Sequence, residues 1–219
     1  MSGERPRRPA PAGAPGPREA RRRLREELGR AQILDAAEEV FARKGFHDAT
    51  VKEIAAAAEF SVGGVYSFFA DKDDLFVQIY LRRGAEFMEG MRAVVGDGSS
   101  PRATLHRLVD HQVDFFREHA NFGRLFLRAT GVTLGALESR IDQAVSDNFT
   151  EAMTLQAKLF RAGQDAGELR DGDPEVLARL FSGIVSAYQA TDPLVVGDGR
   201  EERMTRAELH EIVDAAFGR

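Results

Sequence analysis

Apolar residues recur along most of this chain with the spacing of an α-helix. Between Glu26 and Lys44 they fall at i, i+3/i+4 and i+7, which places on one helical face Ile33, Leu34, Ala37, Val40 and Phe41. Gly45 follows directly and suits the end of that helix. No stretch shows the convincing alternation of a half-buried strand. The pattern predicts an all-α protein.

Capping motifs mark where further helices begin. Thr50 and Thr205 are each followed three residues later by a glutamate, which is the pattern of a capping box. Asp71 precedes an acidic first turn, and Asp173 precedes a proline that suits the first helical position. The segment 192–203 is predicted to be a loop whose Leu-Val-Val can pack locally. The predicted helices after the first cover residues 51–59, 61–69, 72–95, 101–119, 121–130, 136–167, 174–191 and 205–217.

The composition is that of an ordinary globular protein, with 43% hydrophobic and 30% charged residues in a chain of 219. The chain has no cysteine, which excludes disulfides and thiolate metal sites and is compatible with a cytoplasmic location. No apolar run approaches the roughly 18 residues of a membrane span.

The net charge of −5 hides a basic amino terminus. Residues 1–25 contain eight arginines and two glutamates, a net of +6, so the remaining residues sum to −11. Proline and glycine are frequent there, and no apolar segment follows the arginine pairs as a signal sequence would require. Residues 1–24 are therefore predicted to be a disordered arm. It is either a solvated tail or an arm that touches DNA phosphates or a minor groove.

The segment 60–69, FSVGGVYSFF, combines an apolar face with two adjacent glycines. On a helix one arc of about 100° holds Val62, Val65, Tyr66 and Phe69. We expect Val62, Val65 and Phe69 to supply the packing side. The opposite side has no charge and almost no side chain; it consists of Gly63, Gly64, Ser67 and Phe68. Such a face suits close approach to a DNA major groove or, as the alternative, to another helix of the protein. Three helices within residues 26–70 predict a helix-turn-helix.

This region resembles the DNA-binding segment of the TetR family of transcriptional regulators. The family pattern T-x-x-x-I-A-x-x-A-G-V-S-x-G-x-x-Y-x-x-F-x-x-K-x-x-L keeps its spacing here in Thr50, Ile54, Ala55, Ala58, Ser61, Gly63, Tyr66, Phe69, Lys72 and Leu75. The resemblance covers residues 28–80. It implies a helix-turn-helix domain at residues 25–72 and, at 73–219, a helical bundle that binds a ligand and forms a dimer.

The resemblance also implies roles in DNA binding. Thr50, Tyr66 and Lys72 would contact phosphates, whereas residues 61–64 and Ser67 would face the bases. Among the departures from the family, Glu59 stands where a turn glycine is usual, and Phe68, which could meet a thymine methyl, replaces a histidine or tyrosine. The predicted DNA-binding set is Thr50, Lys52, Ser61, Val62, Gly63, Gly64, Tyr66, Ser67, Phe68 and Lys72.

Charge bears on this prediction as well. Residues 26–75 hold five basic and eleven acidic groups, a net of −6, whereas DNA binding needs local positive charge. Either the few cations cluster on one face, or the arginine-rich arm supplies the missing charge; we favour the arm.

The carboxyl-terminal bundle has two candidate sites. Aromatic and apolar side chains could line a ligand cavity, although ordinary core is the alternative; they are Phe87, Met91, His111, Phe115, Phe116, Phe122 and Phe126. The last two helices resemble the family's dimer surface, with Val176, Leu180, Gly183, Ile184, Ala187, Tyr188 and Ile212. The spacing of His106, His111 and His119 is not that of a clean chelate, and we predict no metal and no cofactor.

The predicted function is a ligand-responsive transcriptional regulator of the repressor type. It would bind a palindromic operator in double-stranded DNA as a homodimer, and a small-molecule effector would release it. The alternative is a helical protein-interaction module whose helix-turn-helix no longer binds DNA. The chain has no G-x-S-x-G elbow, Walker loop, H-E-x-x-H motif or cysteine nucleophile, so we do not expect an enzyme.

Overall fold

The computed structural model describes residues 16–131, 138–197, 199 and 201–219. Apart from one isolated bridge between Leu169 and Gly218, the regular structure within these ranges is helical. The helices are α1 (Pro17–Lys44), α2 (Val51–Ala57), α3 (Val62–Phe68), α4 (Lys72–Val95), α5 (Pro101–Glu118), α6 (Ala120–Gly131), α7 (Glu138–Asp165), α8 (Pro174–Gln189), α9 (Pro193–Val196) and α10 (Arg206–Phe217). The all-α prediction is confirmed.

The capping signals in the sequence act as predicted. Both capping boxes form, with Thr50 accepting from the Glu53 N–H and Thr205 from the Glu208 N–H. Asp173 accepts from the first N–H groups of α8. Because these bonds join residues two or three positions apart, the sequence alone is sufficient to place the helix starts.

The first helix is longer than predicted. It begins at Pro17 rather than near Glu26, so the part of the predicted disordered arm from residue 17 to 24 is helical. Proline suits the first helical position, and the Arg23 guanidinium lies 2.7 Å from the Glu19 carboxylate one turn away. These local interactions stabilise turns that bury no side chain. Residues 1–15 of the predicted arm lie outside the described part of the chain, as do the first two residues of the helix predicted at 136–167.

The described residues form two hydrophobic cores, and α4 contributes to both. The first core contains side chains of α1, α2, α3 and the start of α4, including Phe76 and Tyr80. These pack against α6 and against parts of α5 and α9. The second core joins the end of α4, with Met88 and Met91, to α5, α7, α8 and α10. The cores therefore divide within α4 and not at its first residue. Helix α4 therefore runs from the helix-turn-helix into the bundle and packs in both.

The segment predicted as a loop at 192–203 contains the short helix α9. Its Val195 is fully buried in the first core. A Cβ on Gly123 would lie only 2.7 Å from Cγ1 of Val195, so the glycine allows α9 to sit directly on α6. The predicted local packing of Leu-Val-Val is thus found for the central valine. Among the described helices, none is both long and apolar enough to cross a membrane.

Candidate DNA-binding surface and effector core

The turn between α2 and α3 depends on a glutamate in a conformation that favours glycine. Glu59 has φ of 57°, in the left-handed region, which suits the glycine that the family pattern has at this position. This geometry costs a non-glycine residue about 1 kcal/mol. The Phe60 N–H donates to the Ala55 carbonyl at 2.9 Å and closes the turn. The turn therefore forms in spite of the substitution, and its carboxylate is exposed.

Helix α3 has one anchored side and one open side. Val65 and Phe69 are 1% and 2% exposed and fix the helix in the first core. Val62 and Tyr66, which share their arc on the helical wheel, are 39% and 52% exposed. The prediction that Val62 packs inward is therefore wrong, because neighbouring helices cover only the half of the arc that holds Val65 and Phe69. Its exposure is compatible with its predicted place in the DNA-binding set.

The two glycines of α3 differ in their surroundings. A Cβ on Gly63 would meet no atom of the described residues within 4 Å, so this position is open. A Cβ on Gly64 would lie 3.1 Å from Oγ of Ser61 and 3.4 Å from Cδ1 of Phe60. Ser61 caps the helix by accepting from the Gly64 N–H at 2.9 Å. Gly64 is thus needed for packing inside the protein, whereas Gly63 leaves the backbone bare towards solvent.

Phe68 does not lie on the open side. Its ring packs edge-to-face on Phe60, with centroids 6.0 Å apart, and its Cζ would be 3.2 Å from a Cβ on Gly29 of α1. The prediction that Phe68 faces the bases with Ser67 is wrong in this conformation, because α1 comes close enough at Gly29 to cover the ring. Ser67 is exposed, and its hydroxyl donates to the Gly64 carbonyl at 2.6 Å.

Lys72 occupies the first position of α4 and is fully engaged within the protein. Its ammonium donates to the carbonyls of Phe46, His47 and Ala49 at 2.8, 3.2 and 3.0 Å, and lies 4.5 Å from the centroid of the Phe46 ring. An ammonium has three N–H groups, so none remains for a phosphate in this conformation. Lys72 ties α4 to the loop that leads into α2.

Thr50, at the start of α2, is exposed together with Lys52. The Thr50 hydroxyl donates to Oε2 of Glu53 at 3.0 Å. Hydrogen bonds from Lys44 and Thr50 lower the pKa of Glu53 from 4.5 to about 2. The amino terminus of α2 is therefore held by a carboxylate that stays ionised over the physiological pH range.

Most of the predicted effector residues form one aromatic group. Phe115, Phe116 and Phe122 are buried in the first core. Phe87 and Phe126 are half-buried beside them, and the His111 ring stacks on Phe87 while its Nε2 lies 3.0 Å from the Phe87 carbonyl oxygen. Met91 belongs to the second core instead, so the structure does not place it in this group.

Tyr80 of α4 extends the aromatic group towards the helix-turn-helix, and sequence reasoning missed it. Its ring lies 5.3 Å from the Phe122 ring and 5.0 Å from the Phe76 ring. The hydroxyl is buried and has no hydrogen-bond partner among the described residues. Burial raises the pKa of Tyr80, so the phenol stays protonated and remains a free donor in an otherwise apolar core.

A buried ion cluster between α1 and α4 was missed as well. Oε2 of Glu38 lies 2.9 Å from Nε of Arg83 and 3.2 Å from Nη2 of Arg82, and the Glu38 side chain is 5% exposed. Asp35 adds a second carboxylate, 2.8 Å from Arg82. The cluster fixes α1 to the helix that also enters the bundle. Sequence alone gives no signal for it, since adjacent arginines are usually solvated.

The helix-turn-helix also matches a known family. Residues 33–79 match the family model for bacterial regulatory proteins of the tetR family. This chain is a TetR-family transcriptional regulator. The family was the one indicated by the sequence motif at residues 50–75, so that prediction is confirmed.

Two curated relatives and one solved structure illustrate the likeness. The fatty acid metabolism regulator protein of Bacillus subtilis (strain 168) is 23% identical over 148 residues, 68% of this chain and 74% of the relative. The transcriptional activator FasR of Mycolicibacterium smegmatis is 31% identical over 144 residues, 66% of this chain and 62% of the relative. AibR, solved with isovaleryl coenzyme A and operator DNA, has a TM-score of 0.67 and 21% identity, covers 85% of this chain and 97% of its own, and shows the shared fold.

The TetR-family chain presents an exposed apolar surface on its last helices. Val176 and Leu180 of α8 are 52% and 55% exposed, and Ile212 of α10 is 38% exposed. Gly183 and Ala187 lie exposed on the same helix as the first two, and Ile184 is half-buried. We call this set, without Tyr188, the α8/α10 face.

Tyr188 was predicted to belong to this surface, and that prediction is wrong for the described conformation. It is 4% exposed, and its hydroxyl accepts from Nη2 of Arg117 at 2.8 Å. The inner side of α8 packs on α5 and α7, and Tyr188 lies on that side. Among the described residues no group of His, Asp or Glu has the arrangement of a metal site.

Proposed function

We propose that this TetR-family regulator is a dimeric repressor that binds a palindromic operator and is released by a small molecule. The observation that carries the proposal is the open side of α3. Val65 and Phe69 hold the helix rigidly, while Gly63, Ser67 and Tyr66 remain exposed. A major groove about 12 Å wide accommodates such a helix, and a bare glycine permits close approach to the bases.

The α8/α10 face supports a two-fold homodimer. Large exposed aliphatic side chains beside exposed Gly183 suit helix packing against a second copy. A two-fold axis makes the same patch serve both partners, and it presents two α3 helices to half-sites that are about 34–36 Å apart. Operator symmetry would then follow from protein symmetry.

The aromatic group around Phe115, Phe122 and Tyr80 supports an apolar effector with one hydrogen-bond acceptor. The free Tyr80 hydroxyl would gain a partner from such a molecule, and the rings would supply apolar contact. AibR, which shares the fold, was solved with isovaleryl coenzyme A, a molecule with an apolar acyl group. To release DNA, the effector must bind more tightly to the conformer that fits the operator poorly.

The test combines binding with transcription. Fluorescence anisotropy with DNA upstream of the protein's own gene should show tight binding that unlabelled unrelated DNA does not compete away. A footprint should reveal two protected half-sites related by a dyad, and a reporter should be less active when the protein is present. Because FasR is named as an activator, a reporter that rises would overturn the repressor role and leave DNA binding intact. Absence of any preference for its own upstream DNA would favour the interaction-module alternative.

A further inference from the structure

The amino-terminal turns of α1 project beyond the protein core. Every side chain from Arg18 to Leu28 is exposed, and Gly29 is the first buried residue of the helix. Twelve residues of helix are about 18 Å long. This is close to the length of five base pairs at 3.4 Å per step.

Four arginines lie on one side of this projection. Gly29 marks the side that meets α3, because a Cβ there would be 3.2 Å from Cζ of Phe68. At about 100° per residue, positions 18, 22 and 25 fall within about 40° of Gly29, and position 21 falls within about 80°. We call this set the arginine stripe: Arg18, Arg21, Arg22 and Arg25. The stripe continues the surface on which α3 ends.

The charges of the stripe are largely unpaired. Within the described residues Arg18, Arg21 and Arg25 form no ion pair, and Arg22 has only a 3.7 Å contact with Glu26 in which both side chains are at least 59% exposed. Such exposed pairs contribute little and are easily exchanged for another anion.

The cations of the helix-turn-helix itself are mostly committed. Among residues 26–75, all of which are described, Arg30 donates to the Phe68 carbonyl at 3.0 Å, and Arg43 and Lys44 pair with glutamates. Lys72 is bound to three carbonyls. Lys52 alone has no partner in this segment, in which eleven acidic groups face five basic ones. The open side of α3 therefore has little positive charge of its own for the phosphates that surround a major groove.

We propose that the arginine stripe is a second DNA-contacting site, which binds backbone phosphates beside the half-site that α3 occupies. The proposal rests on the proposed function and deepens it: α3 selects the sequence, and α1 supplies the electrostatic attraction. Phosphate contacts position a protein on DNA without selecting a sequence. The contacts come from a helix of fixed length, not from a disordered arm.

The test uses the full-length protein with all four stripe arginines replaced by glutamine. Glutamine is a good helix former, so α1 should persist, which circular dichroism can verify. The logarithm of the binding constant falls with the logarithm of salt by about 0.9 per phosphate contact, so the variant should have a clearly shallower slope. At physiological salt it should bind its operator and unrelated DNA both more weakly, by roughly tenfold or more.

A matched pair of single variants locates the effect on one side of α1. Arg25→Gln removes a stripe charge, whereas Arg23→Gln removes the same charge on the other side of the helix, where Arg23 pairs with Glu19 at 2.7 Å. We expect Arg25→Gln to reduce the salt slope and Arg23→Gln to leave it unchanged.

Three results would overturn or separate the proposals. Unchanged slope and affinity in the quadruple variant overturn the stripe and leave the proposed function standing if the wild type still prefers its operator. The proposal would also be overturned if the wild type bound vesicles of phosphatidylglycerol and the quadruple variant did not, while the salt slope of DNA binding stayed unchanged. The stripe would then be a membrane site. Stripe-dependent binding of all DNA, with no preference for the operator, would support the stripe and contradict the proposed function.

Discussion

The outer sides of α3 and α8 are both exposed, yet they differ in what they offer to a partner. The side of α3 presents a backbone at Gly63 and hydroxyls at Ser67 and Tyr66. The side of α8 presents Val176 and Leu180, each more than half exposed. A bare polar helix fits a groove lined by hydrogen-bonding bases, whereas exposed aliphatic side chains fit a second apolar surface. Two faces of similar exposure thus predict two kinds of partner, and substitutions should affect them separately.

The largest effect should come from a charge on the α8/α10 face. In a two-fold dimer Leu180→Asp places a carboxylate, and its symmetry copy, in an apolar contact, which costs several kcal/mol. We expect the dimer to dissociate at micromolar concentration in analytical ultracentrifugation. Operator affinity should fall by at least roughly a hundredfold, because two linked half-sites become independent.

Leu194→Asp is the matched control. Leu194 is 61% exposed on α9, outside the α8/α10 face, so it should leave the dimer and operator binding intact. If Leu180→Asp remained a dimer with normal affinity, the proposed interface would be wrong.

The next effect should separate the two glycines of α3. The methyl group of Gly63→Ala would meet no atom within 4 Å in the part of the chain that the structure describes. Alanine favours a helix over glycine by about 1 kcal/mol, so thermal stability should hold or rise. On the operator the added methyl group would meet the groove and reduce affinity by about tenfold to a hundredfold, which is the discrimination that one good base contact provides.

Gly64→Ala should show the opposite order of effects. The methyl group would lie 3.1 Å from the Oγ of Ser61, which caps the helix, so the melting temperature should fall. The loss of DNA affinity per unit of folded protein should be smaller than that of Gly63→Ala. Equal loss of affinity in both variants would mean that Gly63 is not the residue closest to the DNA.

The sequence was sufficient where interactions are local, and insufficient where they depend on neighbouring helices. The start of α2 follows from Thr50 and Glu53, which lie three residues apart. The orientations of Phe68 and Tyr188 were predicted wrongly. A helical wheel does not show that α1 covers Phe68 or that α5 packs on Tyr188. The charged cluster at Glu38 and the free hydroxyl of Tyr80 arise from contacts between distant segments, so no local pattern reveals them.

A smaller effect should distinguish the two lysines of the predicted DNA-binding set. Lys72→Met leaves three backbone carbonyls without their donor and should lower the free energy of unfolding by roughly 1–3 kcal/mol. Operator affinity should fall because the loop before Thr50 is released, while the salt slope stays nearly constant and the dimer persists. Differential scanning calorimetry and a salt titration give both quantities.

Lys52→Met provides the comparison. Its exposed ammonium has no partner among the described residues, so stability should be unchanged, and the salt slope should fall by about 0.9 for each phosphate that the ammonium neutralises. If Lys72→Met instead reduced the slope at unchanged stability, Lys72 would be the phosphate contact that the family resemblance implies, and its ammonium would have to leave the three carbonyls on DNA.

The smallest effects should come from removing one hydroxyl from each of two tyrosines. Tyr66 is 52% exposed on the open side of α3, so Tyr66→Phe should leave stability and dimerisation unchanged. It should weaken operator binding by about 0.5–1.5 kcal/mol, the net value of one hydrogen bond. Anisotropy at constant salt measures this decrease, and normal binding would mean that the phenol does not reach the DNA.

Tyr80→Phe should do the reverse, because its hydroxyl is buried and has no partner among the described residues. Removing an unsatisfied buried group should raise the free energy of unfolding by about 1 kcal/mol, or the melting temperature by about 2–4 °C in a chain of this size. Operator affinity without effector should stay the same. If the hydroxyl serves the effector, the variant should also need a higher effector concentration for release from DNA. A lower melting temperature would instead show that the hydroxyl has a partner in the folded protein and is not free to bind an effector.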